Sequence, residues 1–110
     1  MTPQPLHLEN TTVPFFTYTQ EGITYIEFDT STCVPPEPMV NAMIALERLS
    51  NAQTKIIMIN HRSPVGLLAK VEPFYTIEST ELGEGKVKLV FSYKEGESEK
   101  ADLSKKSCAG

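Results

Sequence analysis

The sequence has few cysteines, no surplus of basic residues and no long apolar run, and each absence excludes a class of protein. Two cysteines, Cys33 and Cys108, are fewer than a small secreted disulfide scaffold normally has, so we expect free thiols. The formal net charge is -4 and the lysines and arginines are scattered, which argues against nucleic acid as a partner. No stretch of about 18 apolar residues occurs and the N-terminus is unlike a secretory signal. The sequence therefore predicts a cytoplasmic protein without membrane insertion.

The chain has the length of one domain. Its 110 residues fall within the roughly 100 to 200 residues of a typical domain. Residues 1–12 hold two prolines and several polar residues without periodicity, which predicts a flexible N-terminal arm. Residues 13–94 make up the predicted domain. The charged segment 95–110 is predicted to be a disordered tail.

Several short segments have the composition of β-strands, being rich in aromatic, β-branched or other apolar residues. These segments are 15–19, 23–28, 55–60, 74–79 and 86–94. The first two are joined at Gly22, for which we expect a left-handed conformation in a hairpin loop. Four consecutive apolar residues, from Ile56 to Ile59, indicate a strand inside the sheet that is covered on both faces.

Two other segments have the pattern of helices. Apolar residues recur every three or four positions over 36–50, which predicts an α-helix with one buried side. Ser63 offers a capping oxygen and Pro64 a preset first turn, so a short second helix is predicted over 64–72.

The order of these elements predicts the fold class. Two strand-helix-strand units require right-handed crossovers, which place both helices on one face of a sheet. We expect an α/β protein, a two-layer sandwich of order β-α-β-α-β-β with a mixed four-stranded sheet and an extra N-terminal hairpin strand. The other face would carry Phe16, Tyr18 and Tyr25. Either the N-terminal arm or a second copy is expected to cover this face, so monomer and homodimer both remain open.

Asp29 ends a predicted strand, and Pro35-Pro36-Glu37-Pro38 opens the first predicted helix. With the order of elements, these residues resemble the TusA-like (SirA-like) sulfur-carrier superfamily. In that family an aspartate closes the first strand, and a Cys-Pro-x-Pro motif whose cysteine carries sulfur as a persulfide opens the first helix. Pro35 stands at the cysteine position here. The chain is therefore more similar to a branch, with no assigned activity, in which a Pro-Pro-Glu-Pro motif replaces the carrier motif.

The resemblance implies a β-α-β-α-β-β fold over about residues 23–93 and partners among respiratory, hemerythrin-type or sulfur-relay proteins. The residues themselves contain no metal motif, since His61 has no second histidine, cysteine or carboxylate at ligand spacing. No glycine-rich phosphate loop occurs either. We therefore expect no metal and no cofactor.

Two short segments supply the candidate site residues. Cys33 precedes a predicted helix, where unpaired N–H groups lower a thiol pKa, but it lies two residues before the family position. His61 and Arg62 follow the central strand, where α/β sheets often bind ligands, and an arginine there binds a carboxylate or phosphate. The predicted ligand or partner site consists of Cys33, Pro35, Pro36, Glu37, Pro38, Asn60, His61, Arg62 and Ser63.

Two functions remain open from the sequence alone. The first is a non-catalytic binding or protein-interaction module with no catalytic residue. The second is a sulfurtransferase-type sulfur carrier in which Cys33 holds the persulfide. The proline at position 35 favours the first.

Overall fold

Six strands form a single mixed sheet in the computed structural model, which describes residues 2–95. The elements are β1 (Gln4–Leu6), β2 (Phe15–Gln20), β3 (Ile23–Asp29), α1 (Glu37–Leu46), β4 (Thr54–Asn60), α2 (Val65–Val71), β5 (Tyr75–Gly83) and β6 (Lys86–Tyr93). Their order in the sheet is β1-β2-β3-β4-β6-β5, with β3 and β4 parallel and all other neighbours antiparallel. The α/β class is confirmed, but the sheet has more strands than predicted. From position 96 onward, the predicted tail, which includes Cys108, lies outside the described residues.

The unpredicted strand comes from the N-terminal segment. Gln4–Leu6 pair with β2, and Leu8 is only 4% exposed. The backbone N–H of Thr12 donates to Asn41 Oδ1 at 2.9 Å, and Asn41 Nδ2 donates to Thr12 Oγ1 at 2.9 Å. These contacts correct the prediction of a flexible arm over 1–12 for its described residues. Leu8 is an isolated apolar residue and Asn41 lies on a distant helix, so neither contact produces a periodic pattern that the sequence would reveal.

Both helices pack on one face of the sheet. Phe28, Met58 and Leu89 are neighbours in register on β3, β4 and β6, so their side chains share a face. Leu46 of α1 and Leu67 of α2 belong to the same buried cluster. The predicted arrangement of two helices on one side is therefore confirmed, and the hydrophobic core lies between the helices and the sheet.

The helices are shorter than their sequence patterns predict. α1 ends at Leu46, and the N–H of Leu49 donates to the Leu46 carbonyl oxygen at 3.0 Å, three residues back instead of four. α2 begins at Val65, and the side chain of Ser63 makes no capping hydrogen bond there, contrary to expectation. Gly22 has the predicted left-handed conformation, with φ of +81°.

Candidate functional site

A cleft of about 310 Å³ lies where the C-terminal end of β4 meets the starts of α1 and α2. Pro35, Pro38 and Met39 line it from the α1 side, and residues 60–66 line it from the segment between β4 and α2. The structure therefore brings together the two segments that the sequence singled out. The crossovers explain this meeting, because both helices return over the same face and begin near the same end of the parallel strands.

Three of the candidate residues, Cys33, Pro36 and Glu37, do not line the cleft. The sequence in turn did not point to Met39 and Val65 as lining residues. The helical spacing of Met39 assigned it to the core, where its side chain is indeed 2% exposed. Val65 is 71% exposed at the start of α2, and no motif marks it.

Asn60 connects the cleft to the sheet. Its side chain is 2% exposed, its Oδ1 accepts from Thr30 Oγ1 at 2.9 Å, and its Nδ2 donates to the Arg62 carbonyl oxygen at 2.9 Å. The backbone N–H of Thr30 also donates to the Ile59 carbonyl oxygen at 2.7 Å. One amide thus joins the end of β3 to the loop after β4, and this fixes the loop at the cleft.

The side chains around the cleft give it a local positive charge. Arg62 is exposed, and among the described residues it is the one arginine or lysine in the lining. No carboxylate of residues 2–95 belongs to the lining, although the whole chain has a formal net charge of -4. His61 is half-buried, and its Nδ1 has no hydrogen-bond partner among the described residues. An anionic group is the ligand chemistry that this charge distribution favours.

The start of α1 offers few backbone donors to a ligand or a thiolate. Pro36 caps the helix, Pro38 has no N–H, and the Glu37 N–H donates to the Val34 carbonyl oxygen at 3.0 Å. The first two residues of α1, Glu37 and Pro38, therefore offer no free N–H. Free N–H groups at a helix start are what stabilise an anion there, so this helix start is a poor one for a carrier cysteine.

Cys33 lies outside the cleft and is half-buried. Burial raises the pKa of its thiol above the ordinary value, and the negative charge of Glu37 and a hydrogen bond to that carboxylate raise it further. The charge of Asp29 acts in the same direction. Since the thiolate is the nucleophile, these surroundings lower the reactivity of Cys33 at neutral pH.

Replacing Glu37 by glutamine is expected to increase the alkylation rate of Cys33 severalfold near neutral pH. The change removes a negative charge beside the thiol, so the thiol pKa falls and the thiolate fraction rises. Glutamine keeps an oxygen that accepts the Thr12 hydroxyl, which donates to Glu37 Oε1 at 2.9 Å. The rate with iodoacetamide is measured as a function of pH in a Cys108→Ser background, so that Cys33 alone reacts.

The matched control is Glu78→Gln, which removes an exposed carboxylate from β5. Its rate profile is expected to coincide with that of the parent protein. Coincident profiles for all three proteins would show that Glu37 does not hold the thiol pKa high.

Within residues 2–95, no group of three or more histidine, cysteine, aspartate and glutamate side chains is arranged to hold a metal ion. No helix in the same range is both long and apolar enough to cross a membrane.

A scan against models of known protein families finds no match to this chain, and comparisons with curated proteins and with solved structures find none either. The resemblance to the TusA-like superfamily therefore stays a prediction. It depends on Asp29, on the Pro-Pro-Glu-Pro motif and on the order of elements from β3 to β6, which is β-α-β-α-β-β.

Proposed function

We propose that this protein is a non-catalytic binding module whose cleft takes the anionic group of a ligand or partner protein. The observation that carries the proposal is an exposed Arg62 in a cleft that the described residues line without a carboxylate, on a chain of net charge -4. Arginine presents a planar fork of donors that matches a carboxylate or a phosphate. Pro38, Met39 and Val65 supply an apolar wall for the rest of the bound group.

The fixed loop supports a binding role. Asn60 connects the loop to β3 through Thr30, so hydrogen bonds within the protein hold the backbone from which Arg62 extends. A preorganised site loses less conformational entropy on binding. The TusA-like resemblance, a cytoplasmic location and partners of respiratory, hemerythrin-type or sulfur-relay type belong to the same proposal.

The alternative, a sulfur carrier that uses Cys33, has less support. Its thiol lies outside the cleft, burial and the Glu37 carboxylate raise its pKa, and the start of α1 has few free N–H groups. A carrier needs an accessible thiolate that a partner thiol can attack. Each of these three features opposes that requirement.

Titration with inorganic phosphate and with acetate tests the binding proposal. We expect amide NMR shifts at residues 60–66 that weaken as sodium chloride is raised, because salt screens the charge of Arg62. The shifts should vanish in Arg62→Ala. They should persist in Arg48→Ala, which removes an exposed arginine that does not line the cleft. Equal shifts in both variants would contradict the proposal.

A persulfide assay tests the alternative. Reduced protein is incubated with a cysteine desulfurase and L-cysteine, and intact mass spectrometry detects an added sulfur atom. We expect no more sulfur on Cys33 than on the free thiol of an unstructured peptide, with Cys33→Ser and Cys108→Ser as controls. Rapid stoichiometric transfer that disappears only in Cys33→Ser would overturn the non-catalytic assignment.

A further inference from the structure

The face of the sheet opposite the helices, here called the open face, carries an apolar column between an acidic and a basic one. Ile57 and Ile59 of β4 form the central column. Across the sheet, Glu27 pairs with Ile57, and Asp29 pairs with Ile59, so the β3 side is acidic. Ile59 also pairs with Lys88, so the β6 side is basic at this level, whereas Ile57 pairs with the apolar Val90. Charge of each sign thus flanks an apolar centre.

The open face carries further aromatic side chains, and Ile57 of its central column is only 5% exposed. Phe16 is 40% exposed, and Tyr18 and Tyr25 stack with ring centroids 5.2 Å apart. The N-terminal segment, which was one candidate cover, packs elsewhere: Leu8 belongs to the core cluster on the helix side. Within residues 2–95, both helices lie on that other side too. A soluble protein rarely leaves such a face free.

Two hydrogen bonds hold charged groups away from the centre of the open face. Lys55 lies on β4, but its Nζ donates to Ser92 Oγ on β6 at 2.8 Å, which draws its ammonium group to the basic side. Tyr18 donates through its hydroxyl to Glu27 Oε1 at 3.2 Å, which holds that carboxylate on the acidic side. The centre of the face is thereby left to Ile57 and Ile59.

We propose that the open face packs against the open face of a second copy, about a two-fold axis parallel to β4. Such an axis exchanges the two sides of the face, so the acidic β3 side of each copy meets the basic β6 side of the other. Ile59 of each copy, which is half-buried, lies at the axis and meets its counterpart, whereas Ile57 is already buried within one copy. Stacked sheets pack about 10 Å apart with their strands within about 30° of alignment, which suits this contact. A two-fold interface requires a self-complementary surface, and this arrangement of charge is self-complementary.

Sedimentation velocity of the full chain tests the proposal. We expect a concentration-dependent dimer whose dissociation constant rises about 100-fold or more in Ile59→Lys, because like charges then face each other at the axis. The matched control is Ala69→Lys, which adds the same charge to an exposed position of α2 and is expected to leave the dimer unchanged. Circular dichroism checks that both variants are folded.

A charge swap keeps the test decisive if Ile59→Lys does not fold. Lys88→Glu is expected to weaken the dimer, because it places a carboxylate opposite the acidic side of the second copy. Adding Asp29→Lys in the same chain should restore much of the affinity, because Asp29 and Lys88 both lie level with Ile59 and the axis brings them face to face. A wild-type protein that stays monomeric up to millimolar concentration overturns the proposal, and so does a dimer that is indifferent to Ile59→Lys and to Lys88→Glu. The cleft lies on the helix side, so either result leaves the phosphate and acetate titration unaffected.

Discussion

Replacing Leu8 by alanine is expected to lower the free energy of unfolding by about 2 to 4 kcal/mol, as for a leucine in a well-packed core. Leu8 lies in a polar segment with two prolines, yet its side chain is 4% exposed and belongs to the main core cluster. The substitution removes apolar contacts and leaves a cavity beside the sheet. Urea denaturation followed by circular dichroism measures the change.

Leu82→Ala is the matched control for this experiment. Leu82 is 49% exposed near the end of β5, so its truncation should change the free energy of unfolding by less than about 0.5 kcal/mol. Similar small values for both leucines would mean that the N-terminal segment does not dock on the core.

Replacing Asn60 by alanine is expected to lower the free energy of unfolding by about 2 kcal/mol, because the buried side chain loses two hydrogen bonds that each contribute about 1 kcal/mol. The side chain bonds to the Thr30 hydroxyl and to the Arg62 carbonyl oxygen, and it is 2% exposed. The same change frees the loop, so we also expect the phosphate-dependent shifts at residues 60–66 to weaken.

Asn51→Ala provides the comparison for Asn60. Asn51 Oδ1 also accepts two hydrogen bonds, from the Gln53 N–H at 2.9 Å and from Thr54 Oγ1 at 3.3 Å, but the residue is exposed. Water replaces those bonds when the side chain is removed, so a loss below about 1 kcal/mol is expected. If Asn51→Ala and Asn60→Ala destabilised equally, burial of the Asn60 amide would not be the source of its effect.

The surroundings of the Pro-Pro-Glu-Pro motif at the start of α1 differ from those that a sulfur-carrying cysteine needs. A cysteine at position 35 would line the cleft, where Pro35 lies now, whereas Cys33 lies outside it beside the Glu37 carboxylate. The prolines that make the motif recognisable also remove N–H groups from the helix start. These features favour a binding surface over a redox or transfer site.

Much of the candidate site was visible in the sequence because its signals are local. Asn60, His61 and Arg62 follow a strand of continuous apolar residues, and the position after such a strand is a common ligand site in α/β folds. Asn60 is predicted as a contact residue, and in the structure it lines the cleft and also connects the loop to β3. That connection depends on Thr30, which is 30 positions away in the chain, and no local pattern indicates such a pair.

The sequence alone determined most of the segments that become strands and helices, and that the helices share one face, because side-chain periodicity and the handedness of crossovers are local properties of the chain. Only the tertiary structure decided that β1 extends the sheet and that Leu8 enters the core. It also decided that β6 lies between β4 and β5, and that the open face separates its charges across Ile57 and Ile59. These features join residues that are far apart in the chain, and their stability comes from burial and hydrogen bonds that exist only once the elements have packed.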